Sequence, residues 1–137
     1  MGYELLSHPA DVRFRATGPT LAEAFVSAVD AFADLVGGPA EGNERRSVRV
    51  ESEDREALLF DFLGDLILLQ EVEGVAVVGA EAASVERADG GYGLEATVVG
   101  APIDPESPLF DIKSPTYNGM RVEETDDGWT LEATLDV

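Results

Sequence analysis

No cysteine occurs in the chain, so disulfides, thiolate metal sites and thiol nucleophiles are excluded. Histidine occurs once, as His8, and lysine once, as Lys113. With one imidazole and one amine, a nucleotidyl-transfer or hydrolase site of the chain's own is hard to build. No glycine loop opens a helix to cradle phosphate; Gly37-Gly38-Pro39 follows one instead. Neither a serine elbow nor a metalloprotease helix is present. Long apolar runs are missing too. The longest, over residues 58–69, is broken by Asp61, Gly64 and Asp65, well short of the roughly 18 unbroken residues of a membrane span. The first residues lack a basic stretch and a cleavage site, and Gly2 lacks a myristoylation setting. A cytoplasmic protein without a membrane role is expected.

Basic residues are scarce and acids abundant: 28 Asp and Glu stand against 9 Lys and Arg, a formal net charge of -19. Self-repulsion on this scale destabilises a compact domain in dilute buffer. At about 1 M salt the Debye length shrinks to roughly 3 Å and screens most of it. A lysine-poor, acid-rich surface therefore points to a salt-filled cytoplasm and a halophile. A competing reading is an acidic protein that mimics nucleic acid or docks on a basic partner. The acids run along the whole chain rather than in a tail, which favours the first. Tight direct binding to nucleic acid is not expected, because that needs a basic footprint.

Hydrophobic residues make up 45% of the 137 residues, enough for one folded domain over 1–137. Residues 3–6 and 12–16 read as short strands around a His8-Pro9-Ala10-Asp11 corner. Thr20 can cap a helix, with Glu23 at its third position and apolar residues from Leu21 to Val36 at helical spacing. Gly37-Gly38-Pro39 ends it. Residues 47–51 alternate as a half-buried strand. A second helix, over about 54–70, is apolar round most of its circumference and should be largely buried. Two hairpins follow, residues 75–85 with 92–99 around Asp89-Gly90-Gly91, and 121–124 with 130–137 around Asp126-Asp127-Gly128. Residues 102–115, with four prolines, read as an irregular loop. The order predicts a single α+β domain, two helices packed on a mostly antiparallel β-sheet.

Asp11 sits at the corner and Asp136 ends the last strand. If those strands are neighbours, both carboxylates converge with the Val137 carboxylate, tied down by the strand that it ends. Hard cations such as calcium and magnesium take such oxygen ligands, and like charges so close need a cation or a proton. The plainer alternative is two solvated aspartates among many acids. His8 is either a metal ligand, a partner orienting Asp11, or an ordinary capping or core histidine. Asp61 and Asp65, four apart, share a helix face; they are the polar stripe of that helix or are buried for a purpose, Asp61 being the better site candidate. Glu71 reads as exposed. Lys113, the one lysine retained, is either a point-charge contact to phosphate or a metal-bound group, or a chance survivor.

Several stretches, in order and spacing along the chain, resemble the archease family. His8-Pro9-Ala10-Asp11 resembles its His-Thr-Ala-Asp opening, with Pro9 for threonine. Residues 58–66, Leu-Leu-Phe-Asp-Phe-Leu-Gly-Asp-Leu, resemble its second helix. Residues 112–120, Ile-Lys-Ser-Pro-Thr-Tyr-Asn-Gly-Met, resemble its Lys-Ala-x-Thr-Tyr-His segment, with Asn118 where histidine is usual. Leu135-Asp136-Val137 resembles its Leu-Asp-Ile ending. The resemblance implies an archease-like fold and a non-enzymatic accessory protein of the guanylate-dependent tRNA-splicing RNA ligase, promoting ligase guanylylation and multiple turnover. It also implies a divalent ion, calcium before magnesium or manganese, on Asp11, Asp136 and Val137; His8, Asp61 and Lys113 stay candidates from the reading of the residues, as groups beside that site or otherwise functional. The rivals are a stand-alone metal-dependent phosphate-ester hydrolase and a metal-independent chaperone or protein-binding module.

Overall fold

A computed structural model describes residues 2–8 and 11–137, with the backbone alone for residues 7 and 8. The Pro9 and Ala10 corner and the His8 side chain lie outside the described residues. Nine elements follow in order: β1 (Gly2–His8), β2 (Asp11–Gly18), α1 (Leu21–Val36), β3 (Glu44–Ser52), α2 (Arg55–Glu73), β4 (Val75–Ala88), β5 (Gly91–Pro102), β6 (Ser114–Thr125) and β7 (Gly128–Asp136).

Both helices begin and end where the sequence puts stop and start signals. The Thr20 hydroxyl accepts the Glu23 N–H at 3.1 Å, and the Asp54 carboxylate accepts the Ala57 N–H at 2.7 Å. Each satisfies one of the donors that a helix start leaves unpaired. Gly37 and Gly74 close the two helices at φ 69° and 68°, a left-handed turn that glycine takes without steric cost. Along α1, Ala24, Phe25, Ala28, Val29, Phe32 and Val36 recur at helical spacing and are all buried. The longer α2 buries Leu58, Leu59, Phe62, Leu63, Leu66, Ile67 and Leu69, more than one face can carry. It can do so because it touches strands of two sheets.

The strands form two sheets, where the sequence suggested one. The first has the order β1-β2-β7-β6 and the second β3-β5-β4, with every pairing antiparallel. Each helix contacts strands from both sheets, so the helices fill the space between them and one core serves both. Phe25 and Phe62 join the helices edge to face, with ring centres 5.7 Å apart. Phe14, Leu131, Ala133 and Leu135 supply the first sheet's inner face, and Val48, Val50, Leu94, Ala96 and Val98 the second's. Strand β6 is longer than the hairpin reading gave it and starts at Ser114, inside what reads as a proline loop. Its pairing with β7 breaks between Thr116 and Arg121, where Gly119 turns at φ 72°.

Candidate functional site

Alternation in the first sheet decides what faces outward. Val12, Phe14 and Ala16 of β2 pair with Leu135, Ala133 and Leu131 of β7 and point to the helices. Asp11, Arg13 and Arg15 therefore face away, opposite Asp136, Thr134 and Glu132. In backbone register one row runs His8, Asp11, Asp136, Ser114, each residue the partner of the next, with the Asp11 and Asp136 side chains on this outer face. Directly opposed residues carry Cβ atoms about 4.5–5.5 Å apart. The expected convergence of Asp11 and Asp136 thus follows from strand register. Asp11 is half-buried and Asp136 is exposed at the strand's end, with Val137 next to it at 39% exposure. The Asp136 carbonyl accepts the Lys113 N–H at 2.9 Å, so the lysine's backbone is fastened beside the row while its side chain is exposed.

Behind the aspartates lies a charged patch that sequence reading missed. Glu132 is only 8% exposed, although it is a carboxylate on an outer face. Arg15 donates to it at 2.7 Å, and the guanidinium groups of Arg13 and Arg121 stand at 3.8 Å. Arg15 also reaches Glu4 at 3.1 Å, and Arg121 reaches Glu123 at 3.0 Å. Three of the chain's eight arginines are spent on one buried acid. The β6 break lies against this patch: a Cβ at Gly119 would come within 2.9 Å of the Arg13 guanidinium and 3.6 Å of the Thr134 hydroxyl. That close cover accounts for the burial of Thr134, at 1% exposure, beside Glu132. The only sequence signal was Arg13 and Arg15 alternating in one strand, which says nothing of the partner until the register is known.

Asp61 and Asp65 do not join the row. They lie on α2, on the helix side of the sheet. Asp61 is exposed and accepts the Ser52 hydroxyl at 2.7 Å. Asp65 is half-buried, and burial first, then the Asp61 charge, holds its carboxyl above the usual range. Tyr117 stacks on Phe60, ring centres 4.2 Å apart and planes 2° from parallel. Burial, followed by the charges of Asp61, Asp54 and Glu53, pushes the Tyr117 hydroxyl up. Asn118 and Glu71 are exposed. Among the described residues no three His, Asp or Glu side chains gather as a metal-ligating group, so the row offers a carboxylate pair.

These features define a small α+β domain in which two helices lie between antiparallel sheets and a carboxylate pair marks one outer face. The chain belongs to the archease family: residues 3–137 match the model of the Archease protein family (MTH1598/TM1083). Relatives named Protein archease agree over nearly the whole chain. The one from Methanosarcina acetivorans is 35% identical, covering 98% of this chain and 95% of its own length. That from Pyrococcus abyssi is 34% identical, covering 98% of each. The solution structure of Methanobacterium thermoautotrophicum protein 1598 superposes with a TM-score of 0.84 at 26% identity, covering 99% of both chains. A crystal structure from Thermotoga maritima, described as an archease and possible chaperone, shares the fold with a TM-score of 0.60 at 18% identity, covering 98% of this chain and 96% of that one. Among the described residues no helix is long and apolar enough to cross a membrane.

Proposed function

We propose that this chain is an accessory protein of the guanylate-dependent tRNA-splicing RNA ligase, speeding the ligase's guanylylation and turnover in a salt-rich cytoplasm without a reaction of its own. The family membership supports the partner, and the observation that carries the site is the register pair Asp11–Asp136. Two carboxylates directly opposed across strands repel, and a divalent cation relieves that repulsion. The donor set fits a hard ion. Asp11 and Asp136 supply carboxylate oxygens, and Val137 supplies an oxygen of its own. Water completes a shell that for calcium takes six to eight oxygens. Magnesium or manganese fits the same donors less generously. By strand register His8 and Ser114 are the outer members of the row, and the Lys113 backbone is fastened to Asp136, so these three residues would neighbour such an ion. Asp11, Asp136 and Val137 would hold the ion, and once bound it would supply a fixed positive charge that helps order the ligase's own metal ions and nucleotide.

The test is single-turnover guanylylation of the purified cognate ligase in high-potassium buffer, with this chain and with Asp136→Ala. Acceleration by the first and none by the folded second upholds the reading. If neither accelerates loading with metal and nucleotide saturating, the ligase reading fails. Phosphate-ester turnover by the isolated chain with added divalent ion would replace it with a hydrolase. Equal acceleration by both proteins would leave a protein-binding module whose carboxylates hold nothing.

A further inference from the structure

One face of α2 is left largely uncovered by the described residues. Asp61, Asp65, Leu68 and Val72 follow each other at three- and four-residue spacing and so form a single stripe, with Gly64 three residues after Asp61 and four before Leu68. Leu68 is 53% exposed and Val72 76%, on a helix whose other large apolar residues, Phe60 apart, fill the core. Gly64 lies in the middle. A Cβ placed there meets nothing within 4 Å, so no contact inside the domain demands glycine. Glycine weakens a helix interior, and its placement needs another reason. Asp65, Leu68 and Val72 also line a groove between α2 and β3. At its other end the stripe meets Tyr117, which is 54% exposed and stacked on Phe60.

We propose that this stripe is where a basic amphipathic helix of a partner protein docks. The gap at Gly64 lets a second helix cross with its backbone close. Leu68 and Val72 give it an apolar seat, as a helix-in-groove contact requires. Asp61 and Asp65 flank the crossing point and call for Lys or Arg on the incoming face, and the Phe60–Tyr117 platform can take a guanidinium on its open ring. The raised Asp65 carboxyl agrees: a carboxylate already half-desolvated beside another gains from an arriving cation. A second copy of this chain is the wrong occupant, since each carries a net charge of -19 and would bring the same two aspartates to the contact. The choice of partner rests on the proposed function, so the ligase serves as the probe.

The experiment titrates purified cognate ligase by calorimetry with the wild-type chain, Gly64→Gln, Asp61→Lys, the double variant Leu68→Glu/Val72→Glu, and Asp136→Ala. All three α2 variants should bind at least tenfold more weakly while keeping the wild-type circular dichroism spectrum. Gly64→Gln should melt no lower than wild type, because its side chain enters open space. Asp136→Ala, outside the stripe, should lose the acceleration of guanylylation, and its affinity should fall less than that of the α2 variants. Wild-type affinity in the folded α2 variants would overturn the docking site while leaving the ligase reading intact. So would a wild-type dimer by sedimentation that these variants dissociate, since the occupant would then be a second copy. Absence of both binding and acceleration by the wild-type chain would remove the ligase reading and this proposal with it.

Discussion

Asp136, at the end of β7, lies directly opposite Asp11, at the start of β2, on the face of the sheet that points away from the helices. Like charges in that position destabilise a strand pair, so the ion-free protein should lose no stability when one is neutralised. Asp11→Asn and Asp136→Asn are each expected to melt at or above the wild-type temperature in a chelator. In excess calcium the wild type should rise and the variants should not. At free ion about 100-fold above its Kd the gain is about 2.7 kcal/mol. Scanning calorimetry with and without calcium checks this, and equal gains in all three proteins would remove the ion from these residues.

Gly64 gives a cleaner stability test. In a helix interior glycine costs about 1 kcal/mol relative to alanine, and the added methyl group meets nothing within 4 Å. Gly64→Ala should therefore raise stability by about that amount, read from urea unfolding at an unchanged slope. A loss would mean that the stripe of α2 is more crowded than the fold shows.

Glu132 should behave in the opposite way. It is almost buried, and its partners Arg13, Arg15 and Arg121 hold it from two strands. Glu132→Ala removes the acceptor and leaves guanidinium groups crowded without it. Because the arginines keep 31 to 52% of their side chains in water, the cost is moderated to about 2 kcal/mol. Glu132→Gln, which keeps the shape and one acceptor, should recover part of it. Urea midpoints of the two variants decide; a neutral Glu132→Ala would show that the arginines hold β2 and β6 in place without it.

Those three sites differ in how far the amino-acid sequence shows them. The caps at Thr20 and Gly37 are local chemistry, read directly from residue types, and they fall as expected. The Asp11 and Asp136 juxtaposition was conditional on two strands being neighbours, 125 residues apart in register, and periodicity carries no such information. Nor does it divide seven alternating strands between two sheets. Pro115 misled in a specific way. It sits in a proline-dense stretch and yet belongs to β6, which is an edge strand paired only with β7, where a missing N–H leaves no inner ladder bond broken. Glu132 had the look of one more solvated acid. Its burial depends on the β6 break at Gly119 lying over the sheet, a long-range event that no window of β7 reveals. Asp61, offered as a site residue from its place in an apolar helix, turns to Ser52 on the other side of the sheet from Asp11.

Asp65 makes stability depend on pH in an unusual direction for a carboxylate. Burial and the Asp61 charge raise its folded-state pKa above the ordinary 3.8. The folded protein then holds the proton more tightly than the unfolded chain, so stability falls as pH rises through the interval above 3.8, and the loss persists at neutral pH. Asp65→Asn removes that penalty. Its melting temperature should exceed wild type at pH 7, and the advantage should shrink towards zero below about pH 4, where both forms are uncharged. A difference constant across the range would assign the effect to packing instead. Asp30 is raised by burial as well and stays unchanged in both proteins, so it cancels in the comparison.

Salt should act on the whole surface at once. A net charge of -19 over 137 residues repels itself, and the Debye length falls from about 10 Å at 0.1 M to about 3 Å at 1 M. If the surface is adapted to a salt-rich cytoplasm, melting temperature should climb steeply with KCl, a gain of about 2 kcal/mol corresponding to about 8 °C in a domain of this size. The second sheet's outer face offers a way to locate the cause. Glu51 of β3 and Glu86 of β4 both pair in register with Gly93 of β5, bringing two carboxylates to the same level of that face. Reversing them together, Glu51→Lys with Glu86→Lys, relieves repulsion already at low salt. The variant should therefore melt higher than wild type at 0.1 M KCl and show a shallower rise. Parallel curves with the wild-type slope would mean that salt stabilises through preferential hydration of the chain and not through its charge.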